Sequence, residues 1–358
     1  MKIPHHPRIS DLITAAAISS LLLTSCSVTK TPSIKAMQAS AIPYALPPVF
    51  LPPPKMPESE ILPPFKPNFQ IPLPPNPKST AHGKGKPVKF EKRKLKGVPF
   101  YQTTIDLADP DTYLSVGLAK DATQANSADF SSGDEAFDSL VKRAHGAVVV
   151  NGTFFSKDDQ KRVMGNMISG GKILKYSPWE NYGTTLGLTR DNKLEMVTAM
   201  VEGRPRFAEY WFSITCGPRL LRHGKIELDP VKEKFADSHV LGIGPRAALG
   251  FPATCDKLYL VTFMSGLSLK GEAELMKAMG CYEAMNLDGG ASKALAHDGT
   301  IIVPAQRPLT NVIVVYDAKH PAPQALIGSY NEFGKGAVTE LVSQDRPASN
   351  VGATGFSQ

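Results

Sequence analysis

Residues 167–176 read MISGGKILKY: two strand-prone apolar runs separated by Gly170-Gly171. Glycines accept the positive φ angles of a two-residue hairpin turn, so the stretch predicts two short antiparallel strands and a tight reversal. The same grammar recurs along the chain. LGLTRDNKLEMV (186–197) turns at Asp191-Asn192, PRLLRHGKIEL (218–228) at His223-Gly224, and LAHDGTIIV (295–303) at Asp298-Gly299. Two segments follow a helical period instead. DEAFDSLVKRAHG (134–146) spaces Phe137, Leu140, Val141 and Ala144 along one face, and SLKGEAELMKAMG (268–280) does so with Leu269, Ala273, Met276 and Met279. Gly146 and Gly280 are the expected helix ends. Many hairpins with few helices predict an α+β class: a single domain of several β-hairpins in a mixed sheet with a few packed helices, not a doubly wound sheet.

After each helix comes an apolar run that ends in Asn and Gly: AVVVNGTFF (147–155) and CYEAMNLDGG (281–290). Two such units can deliver two polar strand ends to one place. The second is the richer. Asp288 leaves a buried-looking strand, Gly289 and Gly290 let a ligand approach the backbone, and Ser292 and Lys293 add donors. A hairpin-like turn in which Asp288 caps its own backbone is the plainer reading of the same residues.

Around this core the composition shifts. Residues 1–8, MKIPHHPR, are basic, and LITAAAISSLLLTSC (12–26) is an apolar run too short for a good spanning helix. Its end, Leu23-Thr24-Ser25-Cys26, resembles the lipobox of bacterial lipoproteins. That resemblance implies lipidation of Cys26 and anchoring in the cell envelope, with Ser27 leaning towards the outer membrane. Residues 27–98 read as a disordered linker, proline-rich and then lysine-rich; dense proline removes backbone donors and favours extended spacers. Residues 99–317 have globular composition and suffice for one core. Residues 318–358 read as a disordered tail.

The formal charge is +7, with 40 Lys and Arg against 33 Asp and Glu. Much of the excess lies in HGKGKPVKFEKRKLKG (82–97), a tether or a patch for an anionic polymer. It lacks interleaved aromatics over a folded surface, and an exported chain meets no nucleic acid, so that partner is excluded. Besides Cys26 the chain has Cys216, Cys255 and Cys281, whose spacing fits no zinc pattern. Three thiols allow at most one internal disulfide. No Walker or dinucleotide motif appears, and the residues require no cofactor.

Five segments occur in order: VVVNGTFF (148–155), CGPRLL (216–221), RAALG (246–250), NLDGGASKAL (286–295) and RPLTNVIVVY (307–316). Together they resemble the phosphodiester glycosidase family over residues 99–317. Two departures stand out. Asn151-Gly152-Thr153 stands where the family usually reads NGG, and Asp288-Gly289-Gly290-Ala291-Ser292 where it reads DGGGS, with Lys293 replacing a small polar residue. The resemblance implies hydrolysis of the bond between a sugar's anomeric carbon and a phosphodiester oxygen, on a phosphorylated or anionic glycan of the envelope or an exopolysaccharide. A phosphate monoester leaves readily, its second pKa being near 6, so one carboxylate can suffice where ordinary glycosidases need two. On this reading Asp288 is nucleophile or base, with Asn151 and Arg246 catalytic beside it. Arg307, Asn286, Asn311, Gly289, Gly290, Ser292, Lys293 and Cys216 are expected to bind substrate, the arginines as forks on phosphate. Nothing beside Cys216 in sequence would activate it as a nucleophile. The competing reading is a lipoprotein that binds an anionic glycan without cleaving it.

Overall fold

The computed structural model describes residues 78, 84–126, 133–337 and 339. The leader, Cys26, the proline-rich linker and residues 340–358 lie outside the described residues. In chain order the elements are β1 (Lys89–Leu95), β2 (Val98–Asp106), β3 (Tyr113–Leu118), α1 (Phe137–Ala144), β4 (Val148–Asn151), β5 (Met167–Ser169) and β6 (Lys172–Lys175). Then come β7 (Thr184–Thr189), β8 (Leu194–Thr198), α2 (Ala199–Glu202), β9 (Tyr210–Cys216), β10 (Arg219–Arg222), β11 (Lys225–Ile226), α3 (Ser238–Leu241) and β12 (Gly244–Phe251). The last group is β13 (Lys257–Leu267), α4 (Leu269–Ala278), β14 (Glu283–Asn286), β15 (Leu295–His297), β16 (Thr300–Val303), β17 (Asn311–Tyr316) and α5 (Gln324–Gly334).

The strands form three sheets, ordered β1-β2-β13-β12-β14-β10-β11, β16-β15-β4-β17-β3 and β6-β5-β9-β7-β8. Every pairing among the described residues is antiparallel. The fold is α+β, and the four expected hairpins are β5–β6, β7–β8, β10–β11 and β15–β16. Their turns take the left-handed angles the sequence calls for, as at Gly170 and Gly171 (φ 60° and 69°). Both expected helices form. Gly280 follows α4 at φ 88°, but α1 ends on His145 at φ 49°, one residue before the expected Gly146.

Two elements fall outside the expected 99–317 core. β1 lies in the lysine-rich run and pairs with β2 along its whole length, through a turn at Lys96-Gly97. Phe90 anchors it, stacked on Tyr101 and, at 4.1 Å, on His297. Its lysines guard a sheet edge against further pairing. α5 lies in the expected tail. Leu326, Tyr330 and Phe333 share one helical face, and Tyr330 meets Trp211 and Tyr113 edge-on at 5.1 and 5.7 Å. Its hydroxyl donates to Asn192 Oδ1 at 2.9 Å. Flanking prolines and glycines obscure that period in the sequence.

The sheets meet at three strand ends. Gly217 and Pro218, joined by a cis peptide, carry the chain from β9 in the third sheet to β10 in the first. The end of β14 bonds this crossing twice, Gly217 N to Asn286 O and Asn286 N to Pro218 O, both at 3.0 Å. The end of β4, from the second sheet, meets the same place through Asp288 N to Gly152 O at 3.2 Å. The two Asn-Gly units found in the sequence thus converge, although their strands belong to different sheets.

Candidate active site

The loop after β14 is shaped by contacts that admit little else. A Cβ on Gly289 would lie 2.4 Å from Pro245 O, and Gly290 takes φ 55°. A short 3-10 turn, Gly290–Ser292, then brings Ser292 back beneath Asp288. Asn151 staples the loop at both ends: Nδ2 donates to Asp288 O, and Oδ1 accepts from Ala294 N at 3.0 Å.

Asp288 is 5% exposed. Its Oδ2 accepts from Arg307 Nη2 at 3.2 Å, while Arg307 Nε donates to Ser292 Oγ at 2.7 Å. The guanidinium lies 4.2 Å over the Phe155 ring, which fixes its plane. Burial pushes the Asp288 carboxyl up to about 6; bonds from Ser292, Arg307 and the Gly289 N–H pull against that. The group is therefore an ionised but poorly solvated carboxylate near neutral pH.

Asp288 opens on a cavity of about 490 Å³. Of the residues expected at the site, Arg246, Arg307, Gly289 and Gly290 line it with Asp288. Arg246 is not the free fork expected. Nε donates to Leu267 O at 3.1 Å and Nη2 to Val240 O at 2.9 Å and to Gly242 O, which leaves Nη1 without an acceptor among the described residues. Arg307 likewise keeps Nη1 open.

The other expected residues stand behind the wall. Asn286 Nδ2 donates to Gly217 O at 2.8 Å, and Asn311 grips the backbone of Thr153 through Oδ1 and Nδ2 at 2.8 and 3.2 Å. With Asn151 they lock strand ends and do not line the cavity. Gly152 belongs to this lock: a Cβ there would fall 1.9 Å from Asn311 Oδ1. Ser292 acts through Asp288 and Arg307. Lys293 puts no charge beside the carboxylate; its Nζ donates to Phe263 O at 2.6 Å. Cys216 is fully buried and does not line the cavity, and burial pushes its thiol up to about 12, which leaves it inert. All three described cysteines are free.

Sequence reasoning missed much of the lining. Phe154, Phe155, Tyr182 and Phe235 form an aromatic wall, with Phe235 5.7 Å from Phe154 and 5.6 Å from Tyr182. Lys157 and Lys234 stand in the lining too. Lys157 pairs with Asp237 at 2.6 Å and holds that carboxyl well below its usual range. Four cationic side chains (Lys157, Lys234, Arg246, Arg307) thus face two carboxylates (Asp237, Asp288). Phe154 and Phe155 end a motif already singled out; the lysines sit in loops with no pattern to read. Among the described residues no three His, Cys, Asp or Glu side chains converge as metal ligands.

A buried carboxylate clamped by an arginine thus sits in a pocket with cationic and aromatic walls. Residues 144–316 match the family model of the phosphodiester glycosidases. The match leaves out β1 to β3, all but the last residue of α1, and α5. The catalytic domain of zebrafish N-acetylglucosamine-1-phosphodiester alpha-N-acetylglucosaminidase, auto-inhibited by its pro-peptide, shares the fold. The TM-score is 0.50 at 18% identity, over 68% of this chain and 87% of that one. A hypothetical protein from Synechocystis aligns with a TM-score of 0.47 at 15% identity, over 64% of this chain and 61% of that one. No curated protein matches the sequence.

Proposed function

We propose that the pocket hydrolyses a sugar-1-phosphodiester, cleaving the bond between the anomeric carbon and the phosphodiester oxygen. The observation that carries this reading is one buried carboxylate, Asp288, sharing a cavity with two arginines that each keep a donor open. Asp288 acts as nucleophile at the anomeric carbon or as base for the water that attacks it. The phosphate monoester leaves without a strong general acid, and the open Nη1 groups of Arg246 and Arg307 take up its charge. The aromatic wall offers faces for a sugar ring. An anionic glycan of the cell envelope or an exopolysaccharide has the matching chemistry.

The test uses the full chain and methyl diesters of hexose and N-acetylhexosamine 1-phosphates. Free sugar and methyl phosphate are the expected products. Asp288→Asn, which keeps shape and removes charge, should lower turnover by ~10²-fold or more with folding intact. Near-full activity in that variant overturns the assignment. Binding of an anionic glycan without cleavage, abolished by Arg246→Ala, would instead make the protein a non-catalytic receptor. Lipid anchoring at Cys26 belongs to the same proposal. Cys26→Ala should move the protein from the membrane to the soluble or unprocessed fraction, and an unlipidated wild type overturns the anchor. Among the described residues no helix is long and apolar enough to cross a membrane.

A further inference from the structure

Behind the pocket wall, on the face of α4 that packs against the first sheet, stands Glu272. It is 0% exposed, and neither carboxylate oxygen has a hydrogen-bond partner among the described residues. Leu269, Ala273, Leu275 and Met276 of the same helix are core residues, so an apolar side chain would suit the position. A carboxylate buried without hydrogen bonds is costly, and packing gives no reason for it. Among the described residues its one ionic neighbour is Arg246, whose Nε lies 3.9 Å away, too far for a hydrogen bond and close enough for strong attraction.

Arg246 spans the wall. The three backbone carbonyls that hold it fix its direction but carry no net charge. Glu272 is therefore the one described anion that acts on the guanidinium, and Arg246 lines the cavity while Glu272 does not. We propose that Glu272 is a positioning residue of the site, which governs through Arg246 how strongly the pocket attracts an anion. The proposal rests on the reading of the cavity as a phosphodiester site. With Glu272 ionised, the charge of Arg246 is shared with an interior partner. With Glu272 protonated, the whole charge serves the ligand.

Burial favours the protonated form and pushes Glu272 up to about 8, with Arg246 pulling the other way. Charged groups on the other elements against α4 are engaged elsewhere. On β10 and β14, Arg219 pairs with Glu283 and Glu202, and Arg222 with Glu202 and Glu227. Lys225 on β11 is exposed, and Lys257 and Tyr259 on β13 line a separate cleft beside β1 and β2. Anion affinity should accordingly fall as pH rises through the titration of Glu272.

The probe is dimethyl phosphate, a monoanion throughout this range, bound to the full chain and followed by calorimetry from pH 7 to 9.5, above the titration of Asp288. Wild-type affinity should fall about tenfold over this interval. In Glu272→Gln it should stay level near the wild-type low-pH value. Glu272→Met, which leaves no buried polar group, should match it and gives the same reading if the glutamine variant folds poorly. An equal fall in both variants overturns the proposal, as does a wild type whose affinity does not change with pH. Hydrolysis of the methyl diesters by the wild type is scored in parallel. A Glu272-dependent profile without hydrolysis upholds the proposal and removes the glycosidase reading. Hydrolysis with a Glu272-independent profile does the reverse, and absence of both binding and hydrolysis overturns both.

Discussion

Asp288 draws its character from opposed neighbours. Burial raises its pKa; Arg307 and Ser292 lower it. If the ionised form is the active one, kcat/KM should rise with pH through about 6 and fall again as Glu272 ionises near 8. Arg307→Gln removes a pull on the proton, so the acid limb should move to higher pH, by about one unit. A limb that moves down, or stays, contradicts the pairing. Gly152→Ala tests the lock behind the site. The new Cβ falls 1.9 Å from Asn311 Oδ1, so stability should drop by about 1–3 kcal/mol, read as a lower urea midpoint. An unchanged midpoint would mean that the strand end yields freely. At this scale the carboxylate, the arginines and the glycines were legible because their types are rare in such settings. The roles of the asparagines were not. An amide that staples a strand end and one that binds a sugar hydroxyl look alike until their partners are seen.

Among the elements, α5 and β1 carry the lesson. Both lie where composition speaks for linker and tail, and both are recruited by the core. Tyr330 and Phe333 are buried, and Arg190 lies 5.1 Å over the Phe333 ring. Ending the chain after Asp317 would expose Trp211 and Tyr113. Loss of a large buried aromatic costs about 3–5 kcal/mol, so the shortened chain should melt at least ~10 °C lower than one ending after Thr339. Equal melting temperatures would return α5 to the tail. By the same reasoning, proteolysis should spare β1, and a resistant core should start before Lys89. The hairpins were readable because turn chemistry is local. β1 was not, since two apolar residues in a lysine run become a strand only once β2 is there to receive them.

At the scale of the molecule, three buried carboxyls among the described residues depart upward from ordinary values of 3.8 and 4.5: Asp288 to about 6, Glu233 to about 7 and Glu272 to about 8. The folded state binds these protons more tightly than the unfolded chain. Their contribution is complete below about pH 4 and is lost as pH rises through about 6 to 8. Glu135, Asp237 and Asp256 are held low and act oppositely, withdrawing stability as pH falls below about 4. Urea midpoints should therefore peak on the mildly acid side of neutrality and decline towards pH 9, and a maximum at pH 8 or above would contradict this balance. The meeting of three sheets at Asn151, Gly217 and Asn286 builds the site, and no local pattern announces it because each strand end comes from a different sheet. The central claim is that the carboxylate set there directs water to a sugar carbon. Hydrolysis of a hexose-1-phosphate methyl diester in ¹⁸O-water tests it most directly. The account predicts the label on the anomeric oxygen of the released sugar and none in methyl phosphate, with product formation lost in Asp288→Asn. Label in the phosphate would show cleavage between phosphorus and oxygen and contradict it.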